Sequence, residues 1–352
     1  MTGFSLMSTA LRPEVAVPAR GGLPRGAKLA VLQPLPGIGD MIWHLPHIRA
    51  IAAAAGGPVT LITKPGSAAD QLLAAEPSVH RVLWLRRHAR SRGGRTLLGF
   101  LAELRAARFE ALVLLHHSRS LALAAALAGI PLRFGYGFGT QRLFLNRPPF
   151  LPAGALPLHP YGQASAWLAA AGIAAGAEPE LPVPADAAAA VRARLGPGPR
   201  PVVLGIGSSE PQKQWGAERF AALLALLRAA GWSRPILLGG PAEAALAADI
   251  AGRGPPPAPA LAIGWPLPEV AALLAQAAFY VGNDTGTANM AAAVGTRTYC
   301  LFGATPPFDH CSRIVPIVPA SGVDRVHGMA RIAPEAVMAA IAGESGHGLP
   351  EL

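Results

Sequence analysis

The chain has 352 residues, 51% of them hydrophobic, and a formal net charge of +10. That length exceeds what one core usually serves, so two domains are expected, and the charge favours anionic partners: nucleic acid, phosphorylated glycans or an anionic membrane face. The apolar runs are too short for a membrane span, Met1–Pro24 lacks the apolar core of a signal peptide, and Cys300 and Cys311 imply neither a disulfide framework nor a metal site.

Residues 1–26 read as a loose tail rich in Pro, Gly and Arg, and a cytoplasmic protein is expected. Leu29–Gln33 reads as a buried strand, followed by a turn over Pro34–Gly39 and a helix over Asp40–Ala55. Strands are then expected at Val59–Thr63, Val82–Leu85 and Ala111–Leu115, with helices at Ala68–Ala75, Leu97–Ala107 and Ser120–Ala128. A helix over Tyr161–Ala171 leads into a Pro-rich stretch ending in Gly196-Pro197-Gly198-Pro199, so a linker is placed at 179–200 between domains at 27–178 and 201–352.

The second half repeats the alternation. Strands are expected at Pro201–Ile206, Ile236–Leu238, Phe279–Val281 and Thr298–Phe302, and helices at Gly216–Ala230, Ala242–Ala251, Leu267–Gln276, Thr287–Val294 and Pro334–Ala342. Gly254–Pro259 reads as a surface loop. Strand-helix alternation with short connections predicts parallel, doubly wound α/β sheets, here two Rossmann-like domains facing a cleft, with ligands at the C-terminal strand ends.

The chemistry gathers at those ends. After the third strand of the second half, Gly282-Asn283-Asp284-Thr285-Gly286-Thr287 opens directly into an Ala-rich helix. A helix start presents backbone N–H groups and a partial positive charge, so it suits a phosphate. Asp284 is expected to be the N-cap, leaving the N–H groups of Thr285, Gly286 and Thr287 aimed at a ligand. Lys213 follows Gly207-Ser208-Ser209, and it is one of only three lysines, with Lys28 and Lys64, in an otherwise arginine-based positive charge. It reads either as a solvated loop lysine or as a point charge that stabilises a departing diphosphate, with the Ser208 and Ser209 hydroxyls on the same phosphate. Trp215 is expected to pack its loop rather than stack on a base. Glu243, after Gly239-Gly240-Pro241, reads equally as a first-turn acid and as an acceptor for ribose hydroxyls.

Near the N-terminus, Gly37-Ile38-Gly39-Asp40 is not a full G-x-G-x-x-G, which counts against a nicotinamide dehydrogenase. Asp40 reads both as a helix-start acid and as a general base for a sugar hydroxyl, and the two roles are compatible. His44, one turn on, is expected to line the same cleft. His44 with His47, and His116 with His117, supply no third ligand, and the chain has no D-x-D, H-E-x-x-H or Walker lysine, so no metal and no cofactor are expected. Arg119, Arg133 and Arg142 read singly as solvated, or together as facing an anionic acceptor.

Taken together, these segments resemble glycosyltransferase family 9, the ADP-heptose:lipopolysaccharide heptosyltransferases. The resemblance runs from about Lys28 to Ala342. It is carried by Gly39–Pro46, His117–Ser120 with Gly129–Tyr136, Gly205–Ser208 with Lys213-Gln214-Trp215, Leu238–Gly240, Gly282–Gly286 and Leu301–Gly303. It implies a GT-B fold and inverting transfer without a metal. It also implies an ADP-sugar donor and an anionic glycan or glycolipid acceptor, such as lipopolysaccharide core, rather than nucleic acid.

In that reading Asp40 and Lys213 are catalytic. Gly207, Ser208, Ser209, Gly240, Glu243, Asp284, Thr285, Gly286 and Thr287 hold the donor, and Gly39, His44 and Arg119 meet the acceptor. Peripheral contact with the cytoplasmic face of the inner membrane is expected. The chain departs from the family pattern at Asn289, where His is usual; Asn hydrogen-bonds but carries no charge near neutral pH. A different nucleotide-sugar donor, a GT-B epimerase and a non-catalytic nucleotide-binding homologue are the alternatives.

Overall fold

Short, apolar runs form most of the strands. In the computed structural model, which describes residues 22–85, 95–176, 178–307 and 311–345, β1 (Leu29–Leu32) and β4 (Ala111–Leu114) are buried at every position. Such runs, apolar on both faces, belong in the middle of a parallel sheet covered by helices on each side. Around them are α1 (Ile38–Ala55), β2 (Val59–Thr63), α2 (Ala69–Leu72), β3 (Val79–Trp84), α3 (Arg95–Ala107), α4 (Arg119–Leu127), β5 (Leu132–Gly135) and α5 (Pro160–Ala170). The strand order is β3-β2-β1-β4-β5, and β4 pairs in parallel with β1 (Val31 opposite Val113) and with β5 (Val113 opposite Phe134). Of the expected tail, residues 1–21 lie outside the described residues.

The second sheet follows from the same pattern. Its elements are α6 (Ala185–Leu195), β6 (Val202–Gly205), α7 (Ala217–Ala229), β7 (Pro235–Gly239), α8 (Ala244–Arg253), β8 (Ala260–Ile263), α9 (Leu267–Gln276), β9 (Phe279–Asn283), α10 (Gly286–Ala293), β10 (Thr298–Leu301), β11 (Ile314–Ile317) and α11 (Pro334–Ser345). All six strands pair in parallel in the order β11-β10-β9-β6-β7-β8. The sheet's core is aromatic: Phe279 meets Tyr299 and Trp232 edge to face, with ring centroids 5.7 and 4.9 Å apart. Among the described residues no helix is long and apolar enough to cross a membrane.

Four elements carry no clear sequence signal, and each has a reason. β5 is four residues with Arg133 inside it. β8 is an edge strand whose first two residues, Ala260 and Leu261, are exposed, so its apolar run is short. β11 is the opposite edge and contains Pro316, which only an edge position tolerates. α6, within the stretch expected as a linker, buries only Ala187 and Val191, one face four residues apart on an Ala-rich helix. The expected helix over Ala68–Ala75 shortens to α2, and the one expected from Ala242 starts as a 3-10 turn, Pro241–Glu243.

The chain folds into two compact units. One comprises Met1–Leu32, Ile48–Leu61 and Arg87–Ala175; the other comprises Gln33–His47, Ile62–Arg86 and Gly176–Leu352. The loop after β1 and the first half of α1, including Asp40, therefore belong to the same unit as the second sheet.

The buried part of α1 carries a pH dependence. The rings of His44 and His47 lie 5.6 Å apart. His47 is fully buried, and burial first, then the charge of His44, holds its imidazole down at about 3. The unfolded chain takes up a proton at this histidine below about pH 6.5 and the folded chain does not. Its folded value is lowered, so the contribution to stability is present above the unfolded value and is lost as pH falls. The expected loss is about 1.4 kcal/mol per pH unit between about pH 6.5 and about pH 3. Urea unfolding across that range measures it. His47→Gln, which cannot titrate, should flatten the slope, and an unchanged slope would assign the acid sensitivity to other groups.

Candidate active site

The polar end of the second sheet is built on β6 and β9, whose C-terminal ends lie side by side with Gly205 opposite Gly282. A side chain at either glycine would collide with the Tyr280 phenol, which rises from β9 and is fully buried. Its hydroxyl lies 3.0 Å from Thr287 Oγ1, which in turn lies 2.9 Å from Thr285 Oγ1. The glycines thus admit a buried tyrosine that holds the start of α10 from below. Burial pushes the Tyr280 phenol well above its ordinary value, so it stays a neutral hydrogen-bonding group.

Above that support sits an ion-pair network. Lys213 ends a 3-10 turn, Pro211–Lys213, after β6. Its Nζ lies 3.0 Å from Asp284 Oδ2 and 3.1 Å from Glu210 Oε1, and its side chain is only 17% exposed. Thr305 Oγ1 donates to the same Asp284 oxygen at 2.9 Å. Burial pulls the Lys213 ammonium down, but the Asp284 and Glu210 carboxylates outweigh it, so its pKa rises. The cation is fixed and charged.

Asp284 does not take its expected capping role. The N-cap of α10 is Thr285, and no side chain caps it. The nearly buried Asp284 carboxylate faces Lys213 and Thr305 instead, because at that depth a charged partner is worth more than a backbone N–H. The first-turn N–H groups of α10 have no partner within their own helix, so the anion-binding expectation for this turn does not depend on the cap.

Asn283, fully buried and not singled out in the sequence, holds the arrangement together. Its Nδ2 donates to the carbonyls of Ile206 and Gly207 at 3.2 and 3.1 Å and to Gln214 Oε1 at 3.2 Å, while its Oδ1 accepts from Trp215 N–H at 3.3 Å. One side chain ties the end of β9 to the loop that carries Lys213. Its only signal was a polar residue closing an apolar strand. Trp215 packs as expected: it is buried against Phe220, with ring centroids 4.9 Å apart, and its indole N–H donates to Ile332 O at 3.0 Å.

The start of α1 meets the start of α10. A Cβ on Gly39 would lie 2.5 Å from Asn289 Nδ2, and one on Gly286 would lie 2.9 Å from Ile38 Cβ. At Gly286 the neighbour is the rigid Cβ of Ile38 and the Gly39 backbone, so a larger residue there would push the two helix starts apart. Asp40 stands in the first turn of α1, partly buried, and its Oδ2 accepts the Gly37 N–H at 3.2 Å, a reach-back that fixes the turn. His44 Nδ1 lies 2.7 Å from the Asp40 carbonyl oxygen. A carbonyl only accepts, so this nitrogen carries the proton. The ring is buried and supports the turn bearing Asp40 from within.

Glu243 lies over a floor of glycines: Cβ atoms on Gly207 and Gly240 would fall 3.5 and 3.1 Å from its carboxylate. It is partly exposed beyond the ends of β6 and β7. The Ser208 hydroxyl is engaged within its own turn, donating to Glu210 O at 2.8 Å and accepting from Glu210 N–H at 3.2 Å, whereas Ser209 is exposed. Asp40, Gly39, His44, Lys213, Glu243 and the 284–287 turn all belong to the second unit; Arg119, exposed at the start of α4, belongs to the first. Among the described residues no three or more His, Cys, Asp or Glu side chains group as a metal site.

Comparison with known proteins agrees with this architecture. The family model described as glycosyltransferase family 9 (heptosyltransferase) matches residues 98–316, a span that holds Lys213, Glu243 and the 284–287 turn but not Asp40. The chain is 40% identical over 96 residues to lipopolysaccharide heptosyltransferase 3 of Escherichia coli, a match that covers 26% of this chain and only 28% of that protein's length. Among solved structures, a glycosyl transferase family 9 protein from Veillonella parvula superposes with a TM-score of 0.75 at 17% identity, over 91% of this chain and 97% of that one. The E. coli ADP-heptose lipopolysaccharide heptosyltransferase II superposes with a TM-score of 0.71 at 20% identity, over 90% and 98%. At these identities the structures attest the fold, of GT-B type, with two parallel α/β sheets.

Proposed function

Because the chain belongs to glycosyltransferase family 9, we propose that it moves heptose from ADP-heptose onto an anionic glycan or glycolipid such as lipopolysaccharide core, with inversion and without a metal. The observation that carries this reading is the fixed Lys213 cation beside the uncapped start of α10, with the Asp40 turn packed against that same helix start. A bound diphosphate there would meet an ammonium and several N–H donors, which do electrostatically what a divalent ion does elsewhere. Asp40 takes the proton of the acceptor hydroxyl as that oxygen bonds to the anomeric carbon. The bond from that carbon to the diphosphate oxygen breaks on the opposite face, and the leaving ADP is stabilised by Lys213 and the α10 amides. Glu243 holds the ribose hydroxyls, and Gly39, on the turn that His44 supports from within, faces the acceptor. The name of the E. coli heptosyltransferase II supports the donor, and the net charge supports an anionic acceptor at the cytoplasmic face of the membrane.

Asn289 favours keeping a second donor in view. It lies against Gly39 at the start of α10, where the family pattern has a titratable side chain. Calorimetric binding of ADP, UDP, GDP and CDP, each with and without EDTA, separates the readings. Selective ADP binding that EDTA leaves unchanged is expected. Preference for another nucleotide would keep the mechanism and discard the heptose donor, and binding of none would favour a non-catalytic homologue.

A further inference from the structure

We propose that Phe138–Pro160, in the first unit, is a docking surface for an anionic lipid bilayer; this deepens, and rests on, the glycolipid-acceptor reading. The first observation is charge. Between Glu110 and Glu178 the chain has no acidic residue at all, while Phe138–Pro160 within that stretch carries Arg142 and Arg147. Even with both signs sparse in this chain, a stretch this long with one sign only gives a surface that water-soluble acidic partners and anionic lipid attract and that offers no internal salt bridge.

The second observation is that large apolar side chains are held outward on a fixed backbone. Leu143 is 77% exposed, Leu156 50% and Leu158 46%. Isolated exposed leucines are ordinary; here three fall within one short segment, the first of them next to Arg142 in the chain. The backbone beneath them is pinned. Buried Gln141 accepts the Gly137 N–H at 2.9 Å and donates to His116 O at 2.7 Å. Buried Gln163 donates to the carbonyls of both Leu156 and Leu158, at 2.8 and 3.1 Å. Leu151 N–H bonds Tyr136 O at 2.7 Å. The carbonyls of the two exposed leucines are thus spent inward, which leaves their side chains presented to solvent.

The third observation selects lipid over a soluble polyanion. The Arg142 guanidinium lies over the Phe150 ring, 4.7 Å from its centroid, next to Leu143. Cationic heads set among apolar side chains match the boundary between lipid headgroups and acyl chains, where the leucines insert and the arginines stay at the phosphates. An acidic glycan would use the arginines and leave the leucines in water.

Sedimentation of the full chain with vesicles of phosphatidylcholine, with and without phosphatidylglycerol, tests this. Binding only to the phosphatidylglycerol vesicles, weakening as salt rises, is expected. The Leu143→Asp/Leu156→Asp/Leu158→Asp variant should lose about tenfold or more in partitioning, through lost insertion and added negative charge, with ADP binding unchanged. Should that variant fold poorly, Leu143→Trp gives a second readout: its added emission should shift to the blue with phosphatidylglycerol vesicles and not with phosphatidylcholine. Wild-type-like sedimentation of the triple variant, no blue shift, or binding to dextran sulfate without binding to vesicles would overturn the proposal. ADP binding is read separately, so failure of the docking surface and failure of the functional reading are distinguishable.

Discussion

Asp40→Asn is expected to lower the transfer rate by about 10²–10⁴-fold, the range for removing a general base, with ADP affinity and unfolding midpoint nearly unchanged. The geometry makes this substitution informative. Asp40 Oδ2 already accepts the Gly37 N–H at the start of α1. Asparagine keeps a carbonyl oxygen of the same size and reach, so the reach-back survives while the basicity is removed. Alanine would delete both, and a first-turn contact is itself worth about 1 kcal/mol, so Asp40→Ala would mix a structural cost with a chemical one. Steady-state transfer kinetics, ADP calorimetry and a thermal melt on the asparagine variant separate the two. Loss of rate with binding and melting retained supports the base. An unchanged rate would remove Asp40 from the mechanism, and a parallel loss of ADP affinity would make its role one of holding the α1 start against α10.

Much of this site was legible because its residues cluster at strand ends, and strand ends are what periodicity reveals best. The apolar runs of β6 and β9 mark the loops bearing Lys213 and Asp284 in the sequence itself. Partners chosen by tertiary packing were not legible. Asp284 has the residue type and position of an N-cap, and only the approach of Lys213 and Thr305 from other loops redirects it. Asn283 was harder to read for the opposite reason: its four hydrogen-bond contacts are all to the segment 206–215, far off in the chain, and its only local signal was a polar residue closing an apolar strand. The edge strands β8 and β11 lacked the continuous buried run that made the central strands plain. Tyr280 carries no local signal either, because the space for its hydroxyl is made by Gly205 on a neighbouring strand and by Gly282.

Lys213→Ala is expected to cost about 10²–10³-fold in kcat, as for loss of one preorganised group facing developing charge, and to weaken ADP binding as well. Unlike the Asp40 change, it should also destabilise the fold. Lys213 is the cationic partner of Asp284, whose side chain is 8% exposed, and removing it leaves a nearly buried carboxylate supported by Thr305 alone. Lys213→Ala/Asp284→Asn should therefore recover stability relative to the single variant while recovering none of the rate, because the neutral amide no longer needs a counter-ion but supplies no positive charge to a leaving diphosphate. Lys213→Arg keeps the charge but replaces a point donor with a planar fork in a site fitted to Nζ at 3.0 and 3.1 Å from two carboxylates, so it should restore only part of the rate. The pH profile gives an independent check. The pKa of Lys213 is raised in the folded chain, so its stabilising charge is fully present below the unfolded value and is lost only as pH rises through the folded one. No alkaline fall in kcat from this group is expected below about pH 10.5. A lysine that acted by releasing its proton would show such a fall, and a limb near neutral pH that disappears in the Lys213→Arg variant would make Lys213 a proton donor rather than a fixed charge.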